Sequence, residues 1–314
     1  MSFNDKPFRF GVQITRTRTG DEWRETARRA EALGYDVFLM ADHFGNQFSI
    51  GPALASVAEV TSTIRIGTLV WQNDLRHPAL LGMEAATLDV LSGGRMEFGI
   101  GAGGSFPPEY PWTGIPLDPP GTRVSRLAEA LPVFKRIWSN EPFSFEGQHY
   151  TFQEYTGHPK PVQQPHPPIM MGAGGNRMLK LSAEHGDIIG LLPSMLAEGG
   201  FADNEISMEA FAAKVETIRA HAGERFPEIE LNILVQMFGV TDDRDAEIER
   251  RRVQMELKDE DMGWFDSPMV YIGSVEEIVA RMQEVRERVG VSYFVVFEPM
   301  MEEFAPIVKA LAGK

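Results

Sequence analysis

The chain has 314 residues, with 45 acidic against 30 basic side chains, a net charge of −15, and no cysteine. So acidic a surface does not gather a nucleic-acid backbone or an anionic membrane, and the missing thiols exclude disulfides, iron–sulfur clusters and thiol nucleophiles. The 43 % hydrophobic content is that of a globular protein. Neither a secretion signal nor a run of ~20 apolar residues is present, so a cytoplasmic location is expected.

Short β-branched or aromatic runs alternate with longer amphipathic segments from end to end, the pattern of βα units around a parallel sheet. The predicted strands are residues 8–14, 37–41, 64–70, 96–101, 169–172, 187–192, 230–238 and 292–298. Helical periodicity predicts helices over 21–33, 51–60, 79–91, 122–138, 176–185, 207–222 and 275–289. Eight parallel strands with helices between them close into a (β/α)8 TIM barrel, and that reading makes 1–314 one domain. An insertion at 103–168, rich in Pro, Gly and aromatic residues, is too long for an ordinary connection. A shorter excursion spans 193–204.

Barrel chemistry sits where strands end, so those residues carry the functional reading. The first strand ends in Gln13, followed by Arg16 and Arg18, which suit an anion or a plain solvated loop. The second ends in Asp42-His43-Phe44, offering His43 as an acid-base group against the alternative of a satisfied core histidine. The third runs through Thr68, Leu69 and Val70, apolar enough to back a flat ring, and the fourth ends in Gly101-Ala102-Gly103-Gly104. After the fifth strand, Ala173-Gly174-Gly175-Asn176-Arg177 leads into a helix whose free N–H groups could hold a phosphate. No Walker or dinucleotide spacing accompanies it. Glu298 ends the eighth strand as a second carboxylate candidate. The seven histidines show no metal-ligand spacing, so no metal is expected.

In order and spacing, several stretches together resemble one family. They are Phe38-Leu39-Met40-Ala41-Asp42-His43, Arg76-His77-Pro78-Ala79, Leu88-Asp89-Val90-Leu91-Ser92-Gly93-Gly94-Arg95 and Phe98-Gly99-Ile100-Gly101-Ala102-Gly103. Further on come Glu109-Tyr110, Gly114-Ile115-Pro116, Phe145-Glu146-Gly147 and Pro168-Ile169-Met170-Met171-Gly172-Ala173-Gly174-Gly175. Across nearly the whole chain this resembles the luciferase-like monooxygenase superfamily of flavin- and deazaflavin-dependent oxidoreductases.

The resemblance implies a ring system lying against a bulge at Leu69-Val70, often with a non-proline cis peptide. Gln13, Asp42, Thr68 and Gly101-Ala102-Gly103 would surround the ring, and Ala173 to Arg177 would take the phosphate. Insertion 103–168 would cover the site, with Trp71, Phe44, Phe106 and Trp112 walling it. The closest likeness is to the coenzyme F-420 subgroup. That implies hydride transfer at deazaflavin C5 to or from a small-molecule substrate, His43 as proton donor and Glu298 as a second acid. FMN with a partner flavin reductase is the alternative. An acidic cofactor tail would call on Arg16, Arg18, Arg177 and Lys180. Family members often pair as homodimers through the second and third helices. Deazaflavin-dependent sugar-phosphate dehydrogenases of this superfamily carry Trp and Glu where this chain has Gln47 and Gly104, which implies a different substrate.

Overall fold

A computed structural model describes residues 6–16, 18–104, 106–194 and 202–314. Its first half runs β1 (Arg9–Ile14), α1 (Gly20–Ala32), β2 (Val37–Met40), α2 (Ile50–Val60), β3 (Arg65–Thr68), β4 (Trp71–Gln72), α3 (Pro78–Leu91), β5 (Met96–Gly101), α4 (Glu109–Thr113) and α5 (Pro120–Trp138). A hairpin of β6 (Phe143–Glu146) and β7 (Thr151–Tyr155) follows, then β8 (Ile169–Ala173), α6 (Asn176–His185), β9 (Ile188–Leu191) and α7 (Met208–Ala222). The last part comprises β10 (Glu230–Leu234), β11 (Met237–Val240), α8 (Arg244–Gln254), β12 (Val270–Gly273), α9 (Val275–Val289), β13 (Val291–Phe297) and α10 (Met301–Leu311).

The strand order β3-β2-β1-β13-β10-β9-β8-β5, with β3 pairing back onto β5, closes an eight-stranded parallel barrel. All eight expected strands take part. The predicted run 230–238 breaks, however: the Val235 N–H still bonds Val295 O on barrel strand β13, and the Gln236 N–H then turns to the carbonyl of Met269. Met237–Val240 then pairs with Val270–Gly273 in a separate two-stranded sheet. Among the described residues no helix is long and apolar enough to cross a membrane.

Barrel strands are buried on both faces, and residues two apart share one face. Inside the barrel this stacks layers. At the N-terminal end Glu97 accepts from Arg9 and from Arg65 Nε at 2.8 Å, and Arg9 also reaches Glu230 at 2.5 Å. This charged plug is followed by an apolar layer of Val37, Leu39, Met170, Ile188, Tyr293 and Val295. Above it Gly172 and Gly190 face each other across paired strands, and with no side chains to fill the centre a cavity opens at the C-terminal end.

Helices are fixed by their own ends. Thr19 and Glu22 form a capping box on α1, which buries Trp23, Ala27 and Ala30. Near its end, Glu31 accepts from the N–H groups of Ser62, Thr63 and Ile64 at 2.6–3.0 Å, tying α1 to the start of β3. Partial burial pushes the Glu31 carboxyl up, but the donors of Thr63, Ile64 and Ser62 outweigh it and hold the group at about 2. A carboxylate depressed in the folded state stabilises fully above its unfolded value near ~4.3, and that contribution is lost as pH falls toward about 2. Glu31→Gln is therefore expected to cost about 1 kcal/mol at pH 7, an amount tempered by the exposure of Ser62 and Thr63. In melts run from pH 7 downward, the gap between wild type and variant should narrow below ~4.3.

Within 103–168, only the first part reaches the barrel mouth. The hairpin lies outside, where Glu129 of α5 accepts from the Gln148, His149 and Tyr150 N–H groups at 2.7–3.1 Å and His77 packs on Tyr150 and Phe152. Of the excursion 193–204, residues 195–201 lie outside the described residues. Helix α3 leaves Leu80, Met83, Val90 and Leu91 exposed.

Candidate active site

Pairing between β3 and β5 stops at Gly67↔Glu97 and resumes at Trp71↔Ile100, so three residues, 68–70, oppose two, 98–99. This bulge turns Leu69 and Val70, joined by a cis peptide, toward the cavity mouth. It is held from behind: the Thr68 hydroxyl donates to Gly99 O at 2.8 Å and accepts from Gly99 N at 3.0 Å.

The cavity of about 440 Å³ is walled largely by apolar groups, including Leu69, Val70, Leu191, Leu192, Leu234 and Phe297. A few polar groups converge on it, among them Gln13, His43, Gln72 and Asn232. Gln13 donates from Nε2 to Leu69 O at 3.2 Å, which leaves its buried Oε1 without a partner. An acceptor left bare at such a wall suits the N–H of a ligand.

His43 is about a third exposed, and its Nδ1 lies 3.2 and 3.3 Å from the two oxygens of a fully buried Glu109. The same carboxylate accepts from Phe44 N at 3.1 Å and Gln72 Nε2 at 2.7 Å. With those donors already committed to it, the carboxylate is the acceptor for His43 as well. Nδ1 then carries the proton, and Nε2 is free to exchange one in the cavity. Gln72 in turn accepts from Gly104 N at 2.9 Å and Tyr110 OH at 3.1 Å, and Tyr110 OH is 2.8 Å from Asp74. Burial, then the bond to Asp74, pushes the Tyr110 hydroxyl up, so it remains a donor. Gly103 closes the turn with φ 83°, and a Cβ there would meet Asp74 Oδ1 at 1.7 Å.

Of the residues expected at the site, Gln13, His43, Leu69, Val70, Gly101, Ala102 and Gly103 line the cavity. Several others do not. Asp42 binds Arg76 and accepts from Gln72 N at 3.0 Å, and Thr68 is spent on Gly99. Glu298 is ion-paired with Arg18, and neither of these expected residues lines the cavity. Ala173 is buried, Gly174 O accepts from Lys214 at 2.6 Å, and Gly175 and Asn176 begin α6 beyond the cavity wall. Arg177 donates to Gly121 O and Ser125 Oγ at 2.9 and 2.7 Å. Trp71 is no pocket wall, being fully buried against Phe98 with ring centres 5.5 Å apart. A carboxylate does stand beside His43, that of Glu109, and neither Glu109 nor Gln72 was expected at the site. The signal for Glu109 was the Glu109-Tyr110 landmark itself.

Known proteins similar to this chain share one family and divide between flavin and F-420 enzymes. The profile of the family described as luciferase-like monooxygenase matches residues 6–261. Among curated proteins, the chain is similar to the oxygenase component of a flavin-dependent trigonelline monooxygenase from Acinetobacter baylyi, with 27 % identity over 76 % of this chain and 65 % of that one. It is also similar to an F-420-dependent glucose-6-phosphate dehydrogenase from Kineococcus radiotolerans, with 34 % identity over 51 % of this chain and 49 % of that one. The match thus spans about two thirds of the first relative and half of the second. Among solved structures, a coenzyme F-420-dependent tetrahydromethanopterin reductase from Methanopyrus kandleri superposes with TM-score 0.78 at 21 % identity, over 98 % of this chain and 99 % of that one, a likeness of fold.

Proposed function

The chain belongs to the luciferase-like monooxygenase family, and from that premise we propose that it is a coenzyme F-420-dependent oxidoreductase acting on a small organic substrate. The observation that supports this best is His43 on the cavity wall with Nδ1 held by buried Glu109. When bound, the coenzyme supplies the hydride chemistry at its C5 carbon. The chain supplies position and a proton. Leu69 and Val70 would back the ring, Gln13 Oε1 would accept an N–H from it, and the α6 start, which has no side-chain cap, would offer N–H groups to a phosphate. Arg16 is exposed beside the first strand, and with Lys180 on α6 it can meet an acidic tail. His43 Nε2 gives a proton to, or takes one from, the substrate atom whose charge changes as the hydride moves.

A second reading, an FMN-dependent monooxygenase served by a flavin reductase, is favoured by the apolar wall, which would keep water from a reduced ring. Titrating the purified protein with both cofactors separates the two. Coenzyme F-420 is expected to bind at least about tenfold more tightly than FMN, roughly 1.4 kcal/mol. Tight FMN binding without F-420 binding would overturn the choice, and oxygen uptake would then mark the oxygenase.

A further inference from the structure

The geometry points to an uncharged, flat aromatic molecule as the substrate class, seated on a ledge of Phe44, Phe106 and Trp112 at the cavity mouth. This deepens the proposed function, since it takes the His43 cavity to be the reaction site.

The first ground is charge. Among the described residues His43 is the one titratable side chain on the cavity wall, which carries no Asp, Glu, Lys or Arg. Cations around the mouth are already engaged: Arg18 with Glu298, Arg76 with Asp42, Arg126 with Asp118, and Arg123 with the carbonyls of Gly103 and Asp118. Arg16, which is exposed, lies off the wall. An anion seated on the wall beside His43 would leave water where no Lys or Arg lines the cavity and would approach the buried Glu109 carboxylate, so burial there opposes it.

The second ground is the ledge itself. Phe44, Phe106 and Trp112 are 46 %, 44 % and 63 % exposed, although rings of this size are ordinarily covered. Two of them are in contact and close to the site: Phe106 stands edge-on to Trp112 with centres 5.6 Å apart and edge-on to His43 at 6.3 Å, and Phe44 follows His43 in the chain. A contiguous exposed aromatic patch beside a cavity marks a binding surface. Glu109 also ties the ledge to the chemistry, because its carboxylate holds both the His43 ring and the Phe44 N–H. A flat ring resting on Phe106 and Trp112 is thereby placed next to the group that exchanges the proton.

Calorimetry on cofactor-loaded protein tests this with a matched set: 2-acetonaphthone, 2-naphthoate and glucose 6-phosphate. The neutral ketone is expected to bind, naphthoate at least about tenfold more weakly, and the sugar phosphate not at all. Phe106→Ala and Trp112→Ala should each weaken the ketone by about tenfold while leaving cofactor affinity and melting temperature unchanged. No heat from the ketone, equal or tighter binding of either anion, or variants that bind like wild type would overturn the proposal. The readout is binding rather than turnover and is taken with whichever cofactor loads. A failure of the F-420 reading therefore shows in the cofactor titration and leaves this result standing on its own.

Discussion

His43→Ala is expected to slow single-turnover hydride transfer by about 10²- to 10⁴-fold, the range for a positioned acid-base group. Cofactor affinity should hold, because on the proposed reading the ring would be backed by Leu69 and Val70 and met by Gln13 rather than by the imidazole. Glu109→Gln tests the other half of the pair. The carboxylate has three donors, His43 Nδ1, Phe44 N and Gln72 Nε2, and an amide can accept at only one of its two ends. One donor must then face an NH₂ group, and where that donor is His43 Nδ1 the ring takes the other tautomer, so the charge that fixes it is gone. The expected rate lies between wild type and His43→Ala. Stopped-flow absorbance of the cofactor reads both variants. Wild-type rates in His43→Ala would remove the acid-base role, and wild-type rates in Glu109→Gln would reduce Glu109 to a structural anchor.

How far such a site can be read from sequence depends on which physical signal each residue leaves. The eight strands were legible because strands covered on both faces read as short apolar runs between helical periods. The same rule misled at 230–238, where the apolar run continues through the chain's turn away from the barrel at Gln236. Helix α8 left no periodic trace, since only Ile248 of its 11 residues is buried. Among the site residues the error was one of parity. Ala41, Leu69 and Phe297 face the cavity, while Asp42, Thr68 and Glu298, one position along, engage partners outside it. Strand-end position alone does not carry that information, and alternation carries it only up to the bulge and the glycine run, where Leu69, Val70 and Gly101 to Gly103 all reach the wall. Glu109 is different in kind. It sits 66 residues from His43 and within a run of prolines, and only the returning path of the chain brings the two together.

Gly99→Ala is expected to be the most damaging single-methyl change in the barrel wall. A Cβ at Gly99 would lie 1.7 Å from Thr68 O and 2.7 Å from Thr68 C, and backbone atoms cannot swing aside as a flexible side chain can. The strands must separate there, which breaks both bonds between the Thr68 hydroxyl and the Gly99 backbone in a fully buried place. Overpacking together with two buried polar groups left unpaired should cost about 3 kcal/mol or more. For a chain of this size that lowers the melting temperature by about 4–5 °C or more. Because Thr68 leads into the bulge, Leu69 and Val70 move with it, so cofactor affinity should fall together with stability. Gly45→Ala is the matched control: that glycine is exposed, has nothing within 4 Å of an added Cβ, and should melt like wild type. A Gly99→Ala protein with wild-type melting and cofactor binding would show that the β3–β5 contact does not set the cavity wall. Lost cofactor binding at wild-type stability would instead place the contact's importance in the site alone.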